Sequence, residues 1–198
     1  MFEYLESIDR QLLLLINGWN SPFFDEFMWI VSGKLTWLPL YAVLLWLVIR
    51  KTGRNWWIAL IGIGLTVALA DSLSVHCFKN VVMRYRPTHN LELEGVLHIV
   101  KGYHGGWYGF VSSHAANTFG VAMFICLILK HKAAWIGLMA WAALVCYSRM
   151  YIGAHYPADI VCGVLLGAAF GCFIYWLCGK LIPRIDVIRN KRKSNGTD

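Results

Sequence analysis

Charge is what this chain has least of. Only 15% of its 198 residues are Asp, Glu, Lys or Arg, and just 11 are acidic. A soluble helical bundle of this size needs a more polar surface, so that class is set aside. The first residues lack a basic region and carry Glu3, Glu6 and Asp9 instead. No cleavable signal peptide is therefore expected, and the first true span must direct insertion. The six cysteines show no metal-ligand spacing and fall in or beside apolar runs, which reads them as small packing residues. Internal repeats and low-complexity linkers are also missing. That leaves residues 1–183 as one domain, followed by a basic tail at 184–198.

What is abundant is apolar surface. Hydrophobic residues make up 58% of the chain and ten residues are Trp, a composition that fits a multi-pass membrane protein with aromatic belts. Apolar runs cover 28–49, 56–78, 115–129, 133–148 and 158–179, each near the ~17–25 residues a spanning helix needs. The third and fourth are short, so residues at their ends fall at headgroup depth. Ahead of them, Leu5, Ile8, Leu12 and Leu15 form a helical stripe. That segment either lies in the interface or makes an imperfect sixth span. The expected fold is an all-α polytopic membrane bundle of about five transmembrane helices plus this N-terminal helix.

Basic residues set the orientation. Three fall in the loop 50–54, two in the turn 130–132 and six in 180–193, more than half of the 18. On one side together, they mark that side as cytoplasmic. The tail also suits anionic headgroups, though a topology anchor accounts for it. The net charge of +7 requires no nucleic acid.

Three polar clusters then share the opposite side. In the first, KNVVMRYRP, Lys79 and Arg86 stand seven residues apart before Pro87. A helix continuing to Arg86 places both cations on one face about 10 Å apart along the axis. Such cations also serve as snorkelling anchors. In the second, VSSH, Ser112 and Ser113 precede an apolar run where an N-cap belongs, with His114 in the first turn. Free N–H groups there suit an anion. In the third, SRMYIGAHYPAD, His155 and Asp159 lie four apart around Pro157, with Arg149 ending the preceding run. Asp159 in reach of the imidazole holds Nδ1–H and leaves Nε2 basic, although an interfacial hydrogen-bonded pair looks the same in sequence. The connection 88–110 has five glycines with His104, Trp107 and Tyr108. It reads as an aromatic loop over the site that selects substrate, or as a headgroup anchor. Asp71, inside the second span, is a costly carboxylate expected to partner a motif cation or a neighbouring helix.

Lys79-x6-Arg86-Pro87, Ser112-x-His114 and Ser148-Arg149-x5-His155-x3-Asp159 together resemble the three-part signature of the type 2 phosphatidic acid phosphatase superfamily, shared with bacterial acid phosphatases and vanadium haloperoxidases. The resemblance covers roughly 71–179. It implies that His155 attacks phosphorus, Asp159 orients it and His114 protonates the leaving oxygen. It also implies that Lys79, Arg86, Arg149, Ser112 and the N–H of Ser113 hold the phosphate, with no metal or other cofactor. The family's Pro-Ser-Gly-His is here Val111-Ser112-Ser113-His114, and a serine resists the positive φ that a glycine allows, so a variant site is expected. The implied partner is a phosphorylated lipid in a bacterial inner membrane, met at the periplasmic or outer face. Undecaprenyl diphosphate, a lipid A phosphate, phosphatidylglycerol phosphate and phosphatidic acid all suit this chemistry. A lipid-linked phosphotransferase and a non-catalytic lipid carrier or transporter are the alternative readings, and haem ligation by His76, His114 and His155 a further one.

Overall fold

The computed structural model describes residues 2–194, with side chains from 3 to 181. The basic side chains expected at 184–198 lie outside that range. Eight helices are described: α1 (Phe2–Gly18), α2 (Pro22–Ser32), α3 (Leu38–Thr52), α4 (Trp56–Leu73), α5 (Asn80–Val82), α6 (Ser113–Leu129), α7 (Lys132–Tyr151) and α8 (Pro157–Ser194). Among the described residues the only β pairing is an isolated bridge, Tyr85 to Tyr108.

The all-helical membrane bundle is as expected, with one correction near its start. The run 28–49 is not one span. Ser21 caps α2, accepting from Phe24 N–H, and Pro22 opens it. The helix stops at Ser32 because side chains satisfy its last carbonyls: Thr36 Oγ1 donates to Ile30 O at 2.6 Å and Trp37 Nε1 to Val31 O at 2.9 Å. The first spanning helix is α3, with Pro39 in its first turn. Leu35–Val82, Lys132–Tyr151 and Pro157–Leu181 are long and apolar enough to cross a bilayer, and α6 is a shorter apolar helix. The chain reverses between α3 and α4 at Gly53, whose φ of 54° suits glycine.

Helix α6 is the centre of the bundle, packing most extensively on α8 and also on α4 and α7. The α6–α8 contact is built on glycine. A Cβ on Gly167 would meet Ala116 O at 2.0 Å, one on Gly163 would meet Ser112 O at 2.6 Å, and one on Gly171 would meet Gly120 O at 2.6 Å. Three glycines at four-residue spacing thus bring two backbones together as only small residues can. The core beside this contact includes Val48, Ala122, Phe124, Ala142 and Ile174. Outward-facing Val43, Leu65, Val161, Leu165 and Phe173 are exposed, a surface suited to lipid. Arg50 lies over Trp46 at 5.1 Å and Lys180 Nζ over Trp176 at 4.2 Å, cation and aromatic pairs at the end of the bundle away from the three clusters.

The N-terminal helix lies across the other end. Asp9 reaches Arg84 and Ala158, while Asn17 bonds the carbonyls of His98 and Tyr151. All these partners lie at the clustered end, so α1 caps the bundle and does not span it. Its docking face is Asp9, Leu13 and Asn17, all buried, whereas Leu5, Leu12 and Leu15 are exposed. The apolar stripe faces outward, as an interfacial helix requires.

Candidate active site

The first cluster does not form a continuous helix, which corrects the shared-face expectation. Helix α4 widens into a π-helical turn, Ser74–Lys79, and α5 ends at Val82, where Met83 turns left-handed at φ 50°. Arg86 is extended at φ −66°, ψ 157°, as a residue before proline must be. The segment is held by exchange with the long loop: Arg86 N–H donates to Trp107 O and Gly109 N–H to Arg84 O, each at 2.9 Å. The chain reversal brings Lys79 and Arg86 to the wall of one cavity.

The second cluster caps α6. Ser112 sits at φ −71°, ψ 110°, and its Oγ accepts from Ala115 N–H at 3.4 Å, while its own N–H donates to Asp159 O at 3.0 Å. Ser113 does not occupy the left-handed region, so the family glycine is not required by backbone conformation here. Its hydroxyl is engaged instead: Lys79 Nζ donates to it at 2.7 Å, and Ser74 Oγ lies 2.6 Å away. The variant serine thereby fixes the motif lysine. His114 lines the cavity beside it.

In the third cluster, Arg149 is buried at the end of α7. Its Nη1 donates to Ser32 Oγ, and its Nη2 to Tyr103 Oη at 3.0 Å. His155, 1% exposed, follows the turn Ile152–Gly153, and Pro157 opens α8 so that Asp159 stands one turn on. His155 Nδ1 and Asp159 Oδ2 face each other at 3.5 Å, a contact that does not make a hydrogen bond. Burial holds the imidazole pKa well below its ordinary value, reinforced by the charges of Arg86, Arg149 and Lys79. Arg86 Nη1 and Arg149 Nε are buried without an acceptor among the described residues, positions a phosphate oxygen would satisfy.

Three residues escaped the motif reading. Arg84, inside the first cluster, donates to Asp159 Oδ1 at 2.9 Å and to Asp9 Oδ2 at 2.7 Å, and lies 4.1 Å over the Tyr156 ring. Burial would lower its pKa, but the two carboxylates outweigh it and raise the pKa further. Asp9 also accepts from Ala158 N–H at 2.8 Å. Tyr103, in the long loop, joins Arg149; burial opposes its ionisation, yet the guanidinium wins and lowers its pKa. The loop closes tightly over the site. A Cβ on Gly105 would stand 2.8 Å from Arg86 Nη1, and one on Gly109 would stand 2.9 Å from Asp159 Oδ2.

A cavity of about 640 Å³ extends from this end between α3, α4 and α6. Lys34, Lys79, Arg86, Ser113 and His114 line its polar part; Leu44, Leu60, Ile63 and Ile125 line its apolar part. Along α4 and the π-helical turn after it, the cavity runs from Leu60 to Lys79. Asp71 is on the same wall as Lys79 and its charge acts on that motif cation, the first of the two roles expected of it. Among the described residues no group of three or more His, Cys, Asp or Glu gathers as a metal site.

Comparison with known proteins places this arrangement. Residues 55–183 match the family model described as the PAP2 superfamily. The chain is 38% identical over 189 residues to a lipid A 4'-phosphatase of Bacteroides thetaiotaomicron, covering 93% of this chain and 83% of the relative. It is 34% identical to a lipid A 4'-phosphatase of Porphyromonas gingivalis, covering 87% and 74%. The crystal structure of a transmembrane PAP2-type phosphatidylglycerolphosphate phosphatase from Bacillus subtilis superposes with a TM-score of 0.65 at 21% identity, over 92% of this chain and 88% of that one, a likeness of fold. With cations, paired histidines and a lipid-facing bundle in that order, and with these relatives over most of its length, the chain belongs to the PAP2 superfamily as an integral-membrane lipid phosphatase.

Proposed function

We propose that the chain removes a phosphate monoester from a lipid A-type glycolipid through a phosphohistidine on His155. The observation that carries the chemistry is that the charges of Lys79, Arg86 and Arg149 act on a buried His155 with Asp159 behind it. The cations neutralise the phosphoryl oxygens as negative charge rearranges in the transition state. Asp159 favours the tautomer with the proton on Nδ1, which leaves the Nε2 lone pair for phosphorus. As the N–P bond forms, the P–O ester bond breaks and its electron pair leaves with the lipid oxygen, which takes a proton from a His114 imidazolium that took up its proton from solvent as the anionic substrate bound. Water then attacks the phosphohistidine, giving its proton to His114, and phosphate departs. The net reaction is ester plus water to alcohol plus phosphate. Ser112 and the N–H of Ser113 cap the anion end of α6 beside this group.

The substrate choice rests on the two relatives named as lipid A 4'-phosphatases. The cavity from Lys79 down to Leu60 suits a phosphate at the surface with an acyl chain below it. We place the enzyme in a bacterial inner membrane with the site at the periplasmic face, supported by the basic residues of 50–54 and 130–132 at the other end. The test is phosphate release in detergent, with chelator present, from lipid A, undecaprenyl diphosphate, phosphatidylglycerol phosphate and phosphatidic acid. Lipid A should give the highest kcat/KM. A clear preference for any of the other three overturns the substrate assignment, and activity that needs an added divalent ion overturns the mechanism.

A further inference from the structure

We propose that Asp9, on the N-terminal helix, acts through Arg84 to position Asp159 and hold the field that Asp159 exerts on His155. The inference takes His155 as the nucleophile and so rests on the function just described.

Two ion pairs join Asp9 to Asp159, and Asp159 then faces His155 across 3.5 Å without a hydrogen bond to Nδ1. Asp9 Oδ2 accepts from Arg84 Nη2 at 2.7 Å, and Arg84 Nη1 donates to Asp159 Oδ1 at 2.9 Å. Asp159 Oδ2 accepts from Tyr156 N–H at 3.1 Å and faces His155 Nδ1. Asp9 Oδ1 takes the N–H of Ala158, in the first turn of the helix that carries Asp159. Asp9 and Asp159 are buried and Arg84 nearly so, so water replaces none of these bonds easily.

Charge explains why two carboxylates are needed. Arg84 alone would cancel the negative charge of Asp159 and leave His155 facing a neutral pair. With Asp9 the trio carries net −1, so Asp159 still attracts a proton on Nδ1 and supports positive charge on the imidazole as Nε2 attacks. The opposing field is large: Lys79 from the π-helical turn, Arg86 from the paired segment and Arg149 from α7 all act on His155, and His114 of α6 is close to it. Arg84 also spans three elements, α1, the first cluster and α8. The helix that caps the bundle therefore becomes part of the catalytic support and not only an interfacial anchor.

The experiment uses the full chain in detergent with 15N-labelled histidine, comparing wild type with Asp9→Asn, Asp9→Glu and Arg84→Gln. His155 is assigned by the signal missing in His155→Gln. In Asp9→Asn the 15N shifts should move from the Nδ1–H tautomer toward a mixture, and Asp9→Glu should restore most of the wild-type pattern. With lipid A bisphosphate as probe, Asp9→Asn should lose roughly tenfold to a hundredfold in kcat, the scale of a hydrogen bond to a charged group, with KM nearly unchanged. Arg84→Gln should lose at least as much. Unchanged His155 shifts in folded Asp9→Asn overturn the proposal, as does a kcat loss that only tracks the fraction of folded protein. If wild type releases no phosphate from lipid A, the substrate assignment falls, and the tautomer shift alone decides the role of Asp9.

Discussion

Replacing Gly167 by alanine tests whether the site depends on the close approach of α6 and α8. The new Cβ would lie 2.0 Å from Ala116 O, 2.8 Å from its carbonyl carbon and 2.9 Å from its Cα. All three are backbone atoms, so no side-chain rotation relieves the clash. Non-bonded heavy atoms rest at about 3.5 Å or more, so the two helices must part by on the order of 1 Å. One turn away on α6 and about two turns away on α8, the Ser112 N–H to Asp159 O bond of 3.0 Å would stretch beyond hydrogen-bond range. That bond joins the helix carrying His114 to the helix carrying Asp159. A misplacement of about 1 Å between reacting groups costs on the order of a hundredfold in rate, and kcat should fall by that factor. The assay is lipid A phosphate release per folded molecule, counted by size exclusion in detergent. Gly64→Ala and Gly137→Ala are the controls, since a Cβ at either meets nothing within 4 Å, and both should keep wild-type kcat. A Gly167→Ala enzyme within about threefold of wild type would refute the reasoning.

Other outcomes follow from the same geometry. Because burial and three cations depress the His155 pKa, the imidazole should stay neutral and nucleophilic as pH falls through its ordinary range; its 15N shifts should hold from about pH 8 to 5, and protonation near 6.5 would contradict this. Ser113→Ala removes the acceptor of Lys79 and should raise KM about tenfold in the phosphate-release assay, whereas Ser113→Thr, which keeps the hydroxyl, should retain most of the affinity. In a background without the native cysteines, a cysteine at exposed Gly106, where a Cβ meets nothing within 4 Å, should react with an impermeant thiol reagent in intact cells while one at Thr52 resists; the reverse pattern would put the site at the cytoplasmic face.

The motif residues were legible because their chemistry is local. A proline after Arg86, a serine before an apolar run and a histidine four residues from a carboxylate each announce themselves in a few positions. The supports were harder to see because they join distant segments. Asp9 and Arg84 are 75 residues apart, and only the fold makes them a pair. Hydrophobic periodicity in α1 picked out Leu5, Leu12 and Leu15, the face turned outward, because in a membrane the apolar stripe need not be the packing stripe. Tyr103 was one aromatic among several in a glycine-rich loop. The glycines at 163, 167 and 171 do carry a readable signal, a four-residue spacing of small residues in an apolar run. The break at Gly33 was hidden for another reason: Thr36 and Trp37 end α2 through side-chain bonds in a stretch whose single charge, Lys34, leaves the surrounding run apolar.

The central claim is that His155 carries the phosphoryl group. The direct measurement is rapid acid-free quenching of the full chain with 32P-labelled lipid A, followed by peptide mapping of the bound label. Acid-labile, alkali-stable label on His155, absent in a folded His155→Ala protein that releases no phosphate, is the predicted result. Turnover in His155→Ala at a wild-type rate, or label on another residue, would contradict it.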